Sequence, residues 1–183
     1  MARSTEQQLL LGEWACLGAL FGAPSHGFAI AARLKPEGDI GRVWSLSRAL
    51  TYRALEQLTV RGLVEAVGEE RGIAGGNRTI LQITRAGRAQ LRKWLATPVG
   101  HLRDVRSELL LKLVLAEECG VDIAPMLREQ RARIARMADA LAESTAQDGR
   151  EPDVVALWRR ESSEAALRFL DKITSQVTGE FTS

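Results

Sequence analysis

Ser47-Arg-Ala-Leu-Thr-Tyr-Arg-Ala-Leu-Glu-Gln-Leu-Thr-Val-Arg-Gly62 is the stretch on which the reading of this chain turns. Ser47 has a hydroxyl suited to capping a helix N-terminus, Gly62 is the residue type that stops one, and Thr51, Ala54, Leu55 and Leu58 recur between them at helical spacing. At about 100° per residue those four share one side, predicted to pack on neighbouring helices. Ala49, Tyr52, Arg53 and Glu56 share the other, with Arg48 flanking them at the helix start. One face is fit for a core. The other is basic at its beginning and acidic farther along.

Two helices are expected before this stretch. From Thr5 to Phe21 the residues Leu9, Leu10, Trp14, Leu17, Leu20 and Phe21 follow a period of three and four. After the interruption Gly22-Ala-Pro24, Ser25 is positioned to cap a short helix through Leu34, with Phe28, Ile30, Ala31 and Leu34 on its apolar side. Beyond Gly62 the pattern changes to the β-branched runs Leu63–Val67 and Thr79–Ile83, separated by Gly72, Gly75, Gly76 and Asn77, which reads as a hairpin with a long loop. Thr84 then caps a fourth helix through Leu95, closed by Pro98 and Gly100. Helix, helix, helix, strand, strand, helix is the order of a winged helix-turn-helix domain, in which the third helix enters the DNA major groove and the hairpin forms a two-stranded wing. Its expected span is 5–98.

The remainder reads as helical, giving a mainly α fold with a C-terminal helical dimerisation region over 101–178. Val105–Glu118 is apolar nearly all round and stops at Gly120. Ile123, Leu127, Gln130, Ile134, Met137 and Leu141 form a heptad seam with one polar member, Ser144–Glu151 is expected to break it, and Val154, Trp158, Ala165, Phe169, Ile173 and Val177 line a last helix from Asp153. The expected dimerisation residues are Leu109, Leu110, Leu113, Ile123, Leu127, Ile134, Met137, Leu141, Trp158, Phe169 and Ile173.

Composition excludes several classes. The chain has 183 residues, 45% of them hydrophobic and 26% charged, which suits a globular domain with a helical appendage rather than a disordered or collagenous chain. No apolar run approaches the roughly 18 residues of a membrane span, and the start MARSTEQQLL lacks a secretory signal, so a cytoplasmic location is expected. Cys16 and Cys119 lie far apart among apolar neighbours and are expected to be buried, reduced thiols. With only His26 and His101, and no His/Cys set at ligand spacing, neither an enzyme nor a metal site is expected, and no cofactor is implied. Net charge is a mild +2, yet residues 1–100 carry 13 Lys/Arg against 8 Asp/Glu while the rest is net acidic. Such asymmetry fits a basic nucleic-acid module joined to an assembly module.

Specific residues carry a family resemblance across about residues 10 to 95. Ser25-His-Gly-Phe-Ala-Ile30, Leu46–Leu55 with Tyr52-Arg-Ala-Leu55, Leu58, Gly62-Leu-Val64, Gly76-Asn-Arg78, Thr84 and Gly87 together resemble the PadR-like bacterial transcriptional regulators. The resemblance implies a homodimeric repressor on a pseudo-palindromic operator, with a helical C-terminal region making the dimer and Tyr52 touching the DNA backbone. Thr51 stands where the family usually has an aliphatic residue, and Arg78-Thr-Ile-Leu81 where it commonly has an aromatic pair.

The expected DNA-binding residues are Arg48, Ala49, Tyr52 and Arg53 on the third helix, and Arg71, Gly75, Gly76, Asn77 and Arg78 at the wing. Arg53 has the reach for a guanine edge or a phosphate, and an arginine at a wing tip suits phosphate or minor-groove contact. Glu56 limits entry to the first two turns, since a carboxylate repels phosphate. His26 is read first as a local hydrogen-bonding residue that fixes its turn. Some members of the family bind flat aromatic effectors, which makes Trp94 a candidate effector residue. Two other uses of the same pattern stay open: a winged helix for protein contact, and a small-molecule sensor without direct DNA readout.

Overall fold

The computed structural model describes residues 8–71, 76–148 and 153–179. Helix α1 (Leu11–Ala19) opens at Leu10, whose backbone N–H donates to the Glu13 carboxylate at 2.7 Å. That bond caps the start of the helix at Leu11, and the expected start at Thr5 lies outside the described residues. Trp14, Ala15, Cys16, Leu17 and Leu20 are all buried, so α1 is the core of the first of two compact units. This unit comprises the residues up to Trp94 together with Leu110–Val121.

Strand β1 (Ser25–His26) and helix α2 (Gly27–Arg33) correct the expected cap. The cap is His26, whose Nδ1 accepts the Ala29 N–H at 3.0 Å, while Ser25 is in extended backbone and pairs with Leu81. The local role expected of His26 is therefore the observed one. Helix α3 (Arg48–Val60) matches its expectation: Ser47 Oγ accepts the Leu50 N–H, Thr51, Ala54, Leu55 and Leu58 are buried, and the chain turns away at Gly62 with φ +69°, a left-handed value that glycine adopts without strain. α3 packs on both α1 and α2.

Strands β2 (Val64–Arg71) and β3 (Asn77–Ile83) form the wing, longer than the two short runs expected. The sheet is three-stranded and antiparallel in the order β1-β3-β2, so the wing is anchored by β1 along its inner strand instead of standing as a bare two-stranded hairpin. A bulge between Ala66 and Gly68 leaves Val67 outside the pairing. Helix α4 (Arg85–Leu95) is capped by Thr84, as expected. Its Oγ1 accepts the Gly87 N–H at 3.1 Å and donates to Gly62 O at 2.8 Å, while its own N–H donates to Leu63 O. The ends of α3, β2 and β3 and the start of α4 are thereby fastened at one point.

The continuous helix expected over Val105–Glu118 is divided. A 3-10 turn (Leu102–Asp104) and a π-helical turn (Val105–Leu109) precede helix α5 (Leu110–Cys119), which ends at Gly120 with φ +59°. α5 packs on α1, where Gly18 leaves room for Leu115: a Cβ at Gly18 would lie 2.4 Å from Leu115 Cδ2. Arg33 fastens the same helix, donating to Glu118 and Asp39 and to the Ala19 carbonyl. These partners, Glu118 foremost, raise the guanidinium pKa, and Arg33 in turn holds Asp39 below the usual carboxylate range.

The second unit comprises Leu95–Leu109 with the residues from Asp122 onward. Helices α6 (Ala124–Asp148) and α7 (Val154–Gly179) pack together, and Arg131 of α6 pairs with Asp171 of α7. The break expected over Ser144–Glu151 does not begin at Ser144, because nothing before Gly149 forbids helical backbone and α6 runs on to Asp148; residues 149–151 of that stretch lie outside the described residues. Gln130, the polar member of the seam, is fully buried and satisfied: its Oε1 accepts the Val99 N–H at 2.6 Å and its Nε2 faces Val99 O. Asp153 caps α7 through the Ala156 N–H. Cys16 and Cys119 are buried free thiols, pushed by desolvation up to about 12. Among the described residues no helix is long and apolar enough to cross a membrane, and no group of His, Cys, Asp or Glu could hold a metal ion.

Candidate nucleic-acid interface

An open groove of about 610 Å³ lies between α3 and the β3 side of the wing. Of the expected DNA-binding residues it brings together Arg48 and Tyr52 from α3 with Gly76, Asn77 and Arg78 from the wing. Ala49 and Arg53 are exposed on α3 beside the groove but do not line it, and Arg71 is exposed at the end of β2. Gly75 lies outside the described residues.

Helical periodicity puts Tyr52 on the outer side of α3, and Gly27 decides where its ring goes. A Cβ at Gly27 would stand 2.9 Å from Tyr52 Cε1, so only a glycine at the start of α2 lets the ring lie down at this end of the groove. Tyr52 remains 44% exposed with its hydroxyl free to donate. Arg48 sits over the same ring at 5.7 Å from the centroid.

The sequence pattern places Phe28 on the apolar side of the second helix with Ile30, Ala31 and Leu34, yet unlike them it is not packed away. It lies at the second position of a seven-residue helix, is 46% exposed, and lines the groove. Two guanidiniums approach it: Arg48 at 5.3 Å and Arg78 at 5.2 Å from the ring centroid. Arg78 is opposite Glu70 in the β ladder yet turns instead toward Phe28 and His26. Because His26 Nδ1 accepts a backbone N–H, the neutral ring carries its proton on Nε2, and the 3.3 Å approach of Arg78 Nη1 to Nε2 is a packing contact. The sequence signal for Phe28 was its place directly after His26-Gly27, at a helix start too short to bury it.

The charges are divided between the strands of the wing. β2 exposes Glu65, Glu69 and Glu70, and Glu69 accepts from the Asn77 amide at 2.8 Å. Arg48 and Arg78, by contrast, pair with no carboxylate among the described residues. Glu56 lines the far end of the groove, where it restricts an anion to the end near Arg48. The arrangement can hold a polyanion: two uncompensated guanidiniums, a phenol and backbone at one open surface.

Trp94 does not line this groove. It is buried, stacked on Trp14 at 4.7 Å between centroids, with the Lys112 ammonium 4.8 Å from its ring, so a flat ligand would have to displace one of these neighbours to stack there. Of the expected dimerisation residues, Leu109, Ile123, Leu127 and Ile134 are buried within the single chain. Leu110, Leu113, Met137, Leu141, Phe169 and Ile173 are half-buried, whereas Trp158 is 71% exposed. Val154, Val155 and Leu157 are exposed beside it on the first turns of α7, an apolar cluster of which the sequence reading had named only part.

Residues 16–93 match the model of the transcriptional regulator PadR-like family. Solved structures similar to this chain include Bacillus subtilis PadR in complex with operator DNA, at 18% identity over 90% of this chain and 98% of that one, with a TM-score of 0.46. They also include smu.1604c from Streptococcus mutans UA159 (16% identity, 95% and 100% covered, TM-score 0.44) and the Vibrio cholerae virulence activator AphA (22% identity, 93% and 97% covered, TM-score 0.41). No curated protein matches the chain.

Proposed function

We propose that this chain, whose residues 16–93 match the model of the transcriptional regulator PadR-like family, is a member of that family and a repressor that binds a pseudo-palindromic operator as a homodimer. The family is one of transcriptional regulators, not enzymes. The observation that carries the reading is the groove between α3 and β3, where Arg48, Tyr52 and Arg78 converge and, among the described residues, neither arginine pairs with a carboxylate. α3 offers Arg53 to base edges, and the groove beside it offers cations to the backbone.

The homodimer reading is supported by Val154, Val155, Leu157 and Trp158, four exposed apolar side chains within little more than one turn at the start of one helix. A two-fold pair presents two copies of α3, so inverted half-sites about one helical turn apart, or a whole multiple of turns, are expected. Repression follows by occlusion where such a site overlaps a promoter. A cytoplasmic location follows from a DNA partner.

The test is a salt titration of Arg53→Ala and Arg78→Ala on the duplex upstream of the chain's own coding sequence and on a scrambled duplex. Loss of a base-edge contact removes roughly 1 to 3 kcal/mol of discrimination, so Arg53→Ala is expected to weaken binding to the upstream duplex more than to the scrambled one. Arg78→Ala is expected to weaken both alike and to lower the salt slope by about one unit. Unaltered binding by both variants overturns the reading.

A further inference from the structure

Arginines on an exposed surface ordinarily wander or pair with carboxylates. Arg48 and Arg78 do neither: they come from different elements, α3 and β3, and meet at one phenyl ring contributed by a third, α2. Arg48 is bracketed by Phe28 and Tyr52, and Arg78 by Phe28 and His26. An aromatic face attracts a cation through its quadrupole without neutralising it, so the ring restrains both guanidiniums while leaving their charge uncompensated. Two like charges gathered in this way are favourably placed only when an anion joins them.

We propose that Phe28 is a positioning residue that ties Arg48 and Arg78 into one clamp for a short stretch of a single phosphodiester strand, so that the recognition helix and the wing engage the DNA backbone as a unit. The proposal rests on the DNA-binding reading above and adds to it a residue that need touch no nucleotide. Its energetic basis is order present before binding: without the ring, two long side chains must be immobilised at the moment of contact, at a cost per side chain that corresponds to a several-fold loss of affinity. Phe28 has little part in the core, being half-exposed, and its replacement leaves the apolar contacts of Ile30, Ala31 and Leu34 in place.

The experiment uses the full chain with two probes, the duplex upstream of its coding sequence and a scrambled duplex of the same composition. Phe28→Leu is expected to weaken binding to both by roughly tenfold and to flatten the salt dependence toward that of the Arg48→Ala/Arg78→Ala double variant. Phe28→Tyr, which keeps the ring, is expected to restore both affinity and slope. A merely structural role would leave the slope unchanged. The effects of Arg48→Ala and Arg78→Ala are expected to be non-additive in the native background and additive in Phe28→Leu, and the cycle in the native background serves even if the leucine variant folds poorly. Native slope and affinity in Phe28→Leu, or additive arginine effects in the native background, overturn the clamp. If the native chain binds neither duplex at low salt, the DNA reading fails, and the arginine Nε–H resonances test the ring contact alone. Phe28→Leu is expected to remove ring-current shifts from Arg48 and Arg78, and unchanged resonances overturn the contact itself.

Discussion

Replacing Gly27 by alanine separates the binding surface from the fold that carries it. The new Cβ would stand 2.9 Å from Tyr52 Cε1 and 3.1 Å from Cζ, where carbon atoms at ease lie about 3.5 to 4.0 Å apart. The tyrosine ring therefore has to retreat by somewhat under ~1 Å, a small rotation about χ1 that costs well below the roughly 0.5 to 1.5 kcal/mol of a 30° departure from a rotamer. Alanine in place of glycine at a helix start offsets this by up to about 1 kcal/mol. Stability is thus expected to stay within about 1 kcal/mol of native, a shift of a few degrees at most in a thermal melt. Binding is a different matter. If Tyr52 meets a phosphate as proposed, moving its phenol away would remove one charge-assisted hydrogen bond, about 1.5 to 3 kcal/mol and hence a loss of roughly ten- to a hundredfold in affinity. Fluorescence anisotropy with a labelled upstream duplex measures this, and Tyr52→Phe is expected to lose a similar amount, with the double variant losing little more. Native affinity in Gly27→Ala, with an unchanged melt, would show that Tyr52 does not touch DNA. A melt lowered by ten degrees would show that the ring serves the core.

Gly87→Ala is expected to do the opposite and destabilise the fold, because its Cβ would meet Leu63 O at 2.3 Å and Ile83 Cγ1 at 2.8 Å. Overpacking against backbone outweighs the gain in helix propensity, giving a net loss of about 2 kcal/mol in a denaturant titration, and a native midpoint would refute the fastening of α4 to the wing base. Cys16 and Cys119, held up to about 12 against an ordinary 9.0, are expected to resist thiol reagents at pH 8 in the native chain and to react at once in denaturant. Since the folded state disfavours both thiolates, their contribution to stability is full below pH 9 and falls as the pH rises from about 9 to 12; melts that do not decline across that window contradict the burial. Trp158→Glu places a charge in the exposed apolar cluster of α7, and sedimentation at micromolar concentration is expected to show a dimer for the native chain and a monomer for the variant. A native dimer that survives the change removes this cluster from the interface.

What the sequence disclosed, it disclosed through local signals. Ser47, Gly62 and Thr84 mark element ends by chemistry that acts within three or four residues, so α3 and α4 were legible to their caps. β1 was not, because two residues offer no alternation and their strand character comes from Ile80 and Leu81, more than fifty positions away. The same distance hid the cap: Ser25 and His26 are both able to accept a backbone N–H, and the pairing of Ser25 with β3 leaves that task to His26. Gln130 stood out as the odd member of an apolar seam, but its partner is the backbone of Val99, which no side-chain pattern announces. On α3, periodicity separates the buried Thr51, Ala54, Leu55 and Leu58 from the outer face that holds Arg48 and Tyr52. Phe28 escaped because hydrophobicity argued for burial, and only the shortness of α2 and the arrival of two arginines from elsewhere give it another use.

The placement of α5 bears on how this chain can be taken apart. The polypeptide leaves the first unit after Trp94, comes back to it at Leu110, and departs again after Val121. A single cut near Pro98 would therefore not release an intact DNA-binding piece; it would uncover the face of α1 where Leu115 fits against Gly18 and strand Arg33 without Glu118. A self-sufficient fragment needs Leu110–Cys119 restored, by a linker replacing residues 95–109 or by supplying the helix as a separate peptide. The same interleaving means that grafting a foreign sensing half onto this binding half, or exchanging halves by recombination at one crossover, breaks a core instead of joining two modules.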